Sequence, residues 1–170
     1  MAASTHLLPD SMGELVMSRV FHASRQSVFG AWTDPATLSQ WWGAHSCTHP
    51  ACEVEARSGG CFLLDTRCLD GEFCRMEGYF SALFEPELLE IVLTGSLVPW
   101  LSSGEDLASK SEARKLFLAV TLQEHGLGTL MHLCLRFPLS ADSEISGPEL
   151  RLGWEESFDC LAALLALHSA

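Results

Sequence analysis

The stretch CFLLDTRCLDGEFCRMEGYF, residues 61–80, sets two apolar-rich runs of strand length on either side of Asp70-Gly71. An Asp-Gly pair between such runs reads as a two-residue type I′ hairpin turn, and the turn length fixes the register. That register opposes Leu69 to Glu72, Cys68 to Phe73, Thr66 to Arg75 and Leu64 to Glu77. One face of the hairpin then carries Phe62, Leu64, Thr66, Cys68, Phe73, Arg75, Glu77 and Tyr79. The other carries Cys61, Leu63, Asp65, Arg67, Cys74, Met76, Gly78 and Phe80.

Upstream, Gly59-Gly60 breaks a strand in which Cys52, Val54 and Ala56 alternate with Glu53, Glu55 and Arg57. Before it lie two short helices. Ser24 caps the first, whose Val28, Phe29 and Trp32 fall on one side. Asp34-Pro35 starts the second, which carries Leu38, Trp41 and Trp42 and stops at Gly43. A first strand, Leu15 to His22, precedes them. Downstream, LLEIVLT after Pro86 is a further strand, and residues 98–114 form a long polar excursion. KLFLAVTLQ and TLMHLCLRF flank a turn at His125-Gly126. In the second of these, Met131, Leu133, Leu135 and Phe137 alternate with His132, Cys134 and Arg136.

The chain ends in one long helix. Ser146 with Glu149 makes a capping box, with Pro148 in the first turn. Leu150, Trp154, Phe158, Leu161 and Leu165 recur at three- and four-residue steps as a single apolar stripe. The order is a strand, two short helices, at most six strands and a long helix. Hairpins with helices segregated to the ends, and no βαβ crossover, define an α+β domain. A loose leader over 1–13 and a single domain over 14–168 are expected.

Composition excludes several function classes. Ten basic residues against 22 acidic ones give a net charge of −12, which repels phosphate backbones and anionic membranes. Neither a nucleic-acid partner nor a membrane is therefore expected. No run approaches the ~18 apolar residues of a membrane span. The N-terminal residues lack the basic start and apolar stretch of a signal peptide, so a cytoplasmic location is expected, with the seven cysteines as thiols.

Together the segments AWTDPATLSQWWG (31–43), CEVEARSGG (52–60), EGYFSALFEPELLEIV (77–92) and LGWEESFDCLAALLA (152–166) resemble one family. It is the START-like, polyketide-cyclase-type superfamily (SRPBCC), in the branch similar to the C-terminal domain of the heat-shock-protein-90 ATPase activator. The resemblance runs over roughly residues 15–167. It implies a helix-grip fold, in which a curved antiparallel sheet wraps the C-terminal helix, often around a cavity for a hydrophobic ligand. It also brings in co-chaperone domains and cyclases, so it transfers fold more securely than function.

Four constellations carry candidate chemistry. Trp42, Phe62, Leu64, Phe73, Tyr79, Trp154 and Phe158 supply walls for an apolar ligand site beneath the helix, or else pack as a solid core. Arg75 and Glu77 share a strand face with them, as polar anchors or as an ordinary solvated pair. His45, Cys47, His49 and Cys52 have zinc-ligand chemistry, but their spacing matches no standard site and no metal is expected. Cys134, two residues from His132, is a cysteine with a base at hand, or a small residue filling a strand. The leading expectation is a binder of an apolar small molecule without built-in cofactor, more a binder than an enzyme. The alternatives are a protein-interaction module, chaperone-related and acting through an acidic surface, or a cyclase- or hydrolase-like enzyme. A filled interior favours the interaction module.

Overall fold

In a computed structural model, the structure describes residues 12–43, 47–69, 71, 73–95, 115–138 and 147–168. Strand β1 (Met12–Phe21) is followed by helices α1 (Arg25–Thr33) and α2 (Pro35–Trp41). Next come β2 (Cys47–Thr48), β3 (Cys52–Val54), β4 (Cys61–Cys68), β5 (Phe73–Phe84) and β6 (Leu88–Gly95). β7 (Lys115–His125), β8 (Gly128–Pro138) and the helix α3 (Gly147–His168) complete the chain. The excursion at 98–114 and the capping residue Ser146 lie outside the described residues.

All strands form one curved antiparallel sheet in the order β1-β8-β7-β6-β5-β4-β2, with β3 also paired to β4. The helices cover one face of this sheet, which gives the α+β helix-grip fold. Among the described residues seven strands follow the short helices, where at most six were expected. The added one is β2, whose two residues are too few to show any period.

Local chemistry sets the helix ends as expected. The Ser24 hydroxyl accepts the Ser27 amide at 3.1 Å, and the Asp34 carboxylate accepts the Thr37 amide at 2.8 Å. Gly43 follows α2 with φ +85°, a conformation that glycine takes without strain. Its N–H donates to Ser157 Oγ of α3 at 3.0 Å, which fastens the end of α2 to the C-terminal helix.

The hairpin register differs from the expected one by a single residue. Leu64 opposes Met76, Asp65 opposes Arg75, Thr66 opposes Cys74 and Arg67 opposes Phe73. The connection is one residue longer than a type I′ turn provides. Gly71, at φ +91°, donates its N–H to the Cys68 carbonyl at 2.9 Å, with Asp70 itself outside the described residues. A slip of one residue turns a whole strand over. Phe62, Leu64 and Thr66 therefore point inward with Cys74, Met76 and Phe80. Phe73, Arg75, Glu77 and Tyr79 point outward with Cys61, Leu63, Asp65 and Arg67.

The core lies between the sheet and the helices. From α3 it takes Leu150, Trp154, Phe158, Leu161 and Leu165, the stripe expected from sequence. From β8 it takes Met131, Leu133, Leu135 and Phe137, again the expected set.

Candidate functional site

Five of the expected wall residues, Trp42, Phe62, Leu64, Trp154 and Phe158, come together and are buried between sheet and α3. Their neighbours are one another. Trp42 lies 5.0 Å from Trp154 and 5.9 Å from Phe62 between ring centroids, and Trp154 lies 5.6 Å from Phe158. Trp32 joins them, edge-on to Trp41 at 4.7 Å and stacked on Trp154 at 6.2 Å. These are the separations of directly packed aromatic pairs. Beneath the helix these rings pack directly on one another.

One polar atom in this cluster is unsatisfied. Trp41 donates its indole N–H to the Ala31 carbonyl at 2.8 Å, whereas Trp32 Nε1, equally buried, has no acceptor among the described residues. A buried donor without a partner carries a desolvation cost, so an acceptor would be welcome at this atom.

The other four expected residues, Phe73, Arg75, Glu77 and Tyr79, lie on the opposite face because of the register slip. Arg75 there finds a carboxylate that the sequence reading had turned away from it. Its Nε and Nη2 donate to Asp65 Oδ1 and Oδ2 at 2.7 and 2.8 Å, a bidentate fork between directly opposed residues. Those hydrogen bonds hold the Asp65 carboxyl below its usual range, aided by the guanidinium charge and opposed by burial. Glu77 is exposed beside the pair.

A carboxyl with a lowered folded pKa stabilises the fold above its unfolded value, and loses that contribution as pH falls through the folded one. Asp65→Asn is expected to lower the urea midpoint at neutral pH and to leave it near wild type in acid. A loss equal at both pH values would show that the pair's charge plays no part.

The outer face of the sheet holds a feature that the sequence reading missed. Register lines up Arg136, Phe117, Val92, Tyr79 and Cys61 across five successive strands. The adjacent row aligns Val16, Cys134, Ala119 and Glu90. Val16 is 51% exposed, Tyr79 46% and Phe117 44%, and Phe84 on the same face is 64% exposed. Val92 is covered although it lies outside the core cluster, because Phe117 and Tyr79 flank it on the neighbouring strands. Only the correct register of five strands assembles this patch, so no single segment signals it.

The remaining constellations do not assemble a reactive centre. His45 lies outside the described residues. His49 sets Nε2 2.5 Å from the Trp42 carbonyl and Nδ1 3.1 Å from that of Asp65, so its ring bridges α2 to β4. Burial, aided by the Asp34 charge, pushes the Cys52 thiol up to about 11. Burial and the neighbouring Glu14 also raise the Cys134 thiol, which opposes thiolate formation at the cysteine nearest His132. Among the described residues no group of three or more His, Cys, Asp or Glu side chains is placed to hold a metal. An open groove of about 500 Å³ lies at the far end of the sheet, where Arg25 spans Glu87 and Glu124 at 3.3 and 3.1 Å. None of the expected wall residues lines it. Among the described residues no helix is long and apolar enough to cross a membrane.

Solved structures share this architecture. Protein CV1439 from Chromobacterium violaceum is 20% identical, with a TM-score of 0.75 over 89% of this chain and 96% of that one. Protein NE0264 from Nitrosomonas europaea is 18% identical, with a TM-score of 0.72 over 92% and 96%. The AHSA1 protein from Silicibacter pomeroyi is 21% identical, with a TM-score of 0.69 over 92% and 99%. At such identities the likeness is one of fold. No curated protein matches the sequence. A family model does match, over residues 22–166, nearly the whole described domain, and the chain belongs to the family it defines, the Activator of Hsp90 ATPase homolog 1-like proteins.

Proposed function

We propose that the chain is a non-catalytic protein-binding module of the co-chaperone kind, docking on its partner through the outer face of its sheet. The observation that carries this reading is the pair of exposed rings Phe117 and Tyr79 flanking the covered Val92, with exposed Val16 in the adjacent row, all assembled from strands far apart in sequence. Contiguous apolar surface on a folded domain marks an interaction site. Two further points support it. The interior beneath α3 is packed with its own aromatic rings. The family is described by the activation of another protein's ATPase, which is an effect exerted by contact. A partner surface that is basic around an apolar centre suits a chain of net charge −12. The reading carries a cytoplasmic setting with it.

The test is calorimetric titration of the chain into a purified Hsp90-class ATPase, with wild type and Phe117→Asp. A carboxylate forced into the docked face should weaken binding about tenfold or more, equivalent to ~1.4 kcal/mol, while the melt stays near wild type. A variant that binds as wild type does, or a wild type that never binds, removes the outer face from the account.

A second reading keeps the hydrophobic ligand between sheet and helix. The orphan Trp32 Nε1 favours it, since a ligand carbonyl or hydroxyl arriving there would satisfy the donor. Such a ligand must displace rings that now pack on each other.

A further inference from the structure

We propose that Cys47 and Cys68 form a reversible redox pair at the sheet edge, a modification site that closes to a disulfide under peroxide. The two residues are directly opposed in the antiparallel pairing of β2 with β4. Their Sγ atoms lie 2.9 Å apart. Directly opposed residues in such a ladder have Cα atoms about 4.5–5.5 Å apart, inside the roughly 4.4–6.8 Å that a disulfide spans. Closure therefore needs no rearrangement of the backbone. Both side chains are only half-buried, so a small oxidant reaches them.

The other thiols differ in placement. Cys74 is buried, and Cys61 faces outward opposite Tyr79. The Cys52, Cys134 and Cys160 thiols are each raised, first by burial and then by nearby carboxylates. The pair at the β2–β4 edge is where register brings two sulfurs into contact.

The chemistry balances with hydrogen peroxide as oxidant. One thiolate attacks a peroxide oxygen, giving a sulfenic acid and, with a proton, one water. The opposing thiol then displaces the sulfenic oxygen, which leaves as a second water, and the S–S bond forms. Two thiols are oxidised by two electrons and one peroxide is reduced. A thiol reductant reverses the step, as befits a redox-sensing bond in a reducing compartment.

Closure acts on a part of the fold that joins the sheet to the helices. β2 follows Trp42 and Gly43, which contact Trp154 and Ser157 of α3, and His49 beyond it bridges the Trp42 carbonyl to β4. A disulfide there ties β2, which follows the Gly43 anchor to α3, covalently to β4.

The experiment treats the reduced full chain with equimolar peroxide, followed by non-reducing peptide mapping. The expected product has lost two hydrogens and links the Cys47 peptide to the Cys68 peptide within one chain. Cys47→Ser and Cys68→Ser should each abolish the link. Oxidation should raise the melting midpoint of the wild type alone, and dithiothreitol should return it. Sulfinic or sulfonic acid at either position without a link, a disulfide involving another cysteine or another chain, or an unmoved midpoint would each overturn the proposal.

Discussion

Phe158→Ala is expected to cost the fold about 3–5 kcal/mol, the range for removing a large ring from a packed core. The ring is fully enclosed at the middle of the α3 stripe. It meets Phe21 of β1 edge-on at 6.3 Å and Trp154 one turn earlier at 5.6 Å. Truncation removes contacts on the sheet side and the helix side together, and rigid neighbours leave little scope for collapse into the gap. Denaturant melts of wild type and variant measure the difference. A loss below about 1 kcal/mol would mean that the stripe does not seal the helix to the sheet.

Leu64→Trp probes the same interior from the opposite wall. Leu64 is fully buried on β4, opposed by Met76 on one side and Cys52 on the other. Adding an indole to a filled core forces strain and backbone shifts, at a cost of roughly 1–3 kcal/mol. In a void the added volume would be accommodated without loss. An apolar fluorescent probe titrated into wild type gives the companion measurement. A destabilised variant and a wild type with no internal probe site agree with a packed interior. A variant that melts as wild type does, in a protein whose probe binding it weakens, transfers the account to the small-molecule reading and to Trp32.

Where residues act on their own neighbours, the sequence was readable. Ser24 and Asp34-Pro35 shape helix ends through contacts a few residues long, and Gly43 through its own positive φ. The α3 stripe and the β8 alternation follow from period alone. The hairpin was harder because Asp-Gly fits a two-residue turn, and equally a longer one that ends on a glycine in the left-handed region. Those two turns differ by one residue, and that residue decides which way the side chains of residues 73–80 point. Phe62 and Leu64 lie on the core face with Trp42, Trp154 and Phe158 because the slip leaves β4 in place and turns over β5. Phe73, Arg75, Glu77 and Tyr79 do not, and Asp65 was separated from Arg75 by the same slip. The apolar outer row was illegible for a further reason: Phe117, Val92 and Tyr79 become neighbours only through the lateral pairing of β5, β6 and β7.

In the proposed function the partner meets the outer face of the sheet, with the space beneath α3 uninvolved. Hydroxyl-radical footprinting of the chain, free and saturated with an Hsp90-class ATPase, reads side-chain exposure at the residues concerned. The account predicts that oxidation of Tyr79, Phe117 and Phe84 falls in the complex while that of Leu152 on the outside of α3 is unchanged. Unchanged labelling of Tyr79 and Phe117 in a complex that demonstrably forms, or protection confined to α3, would contradict it.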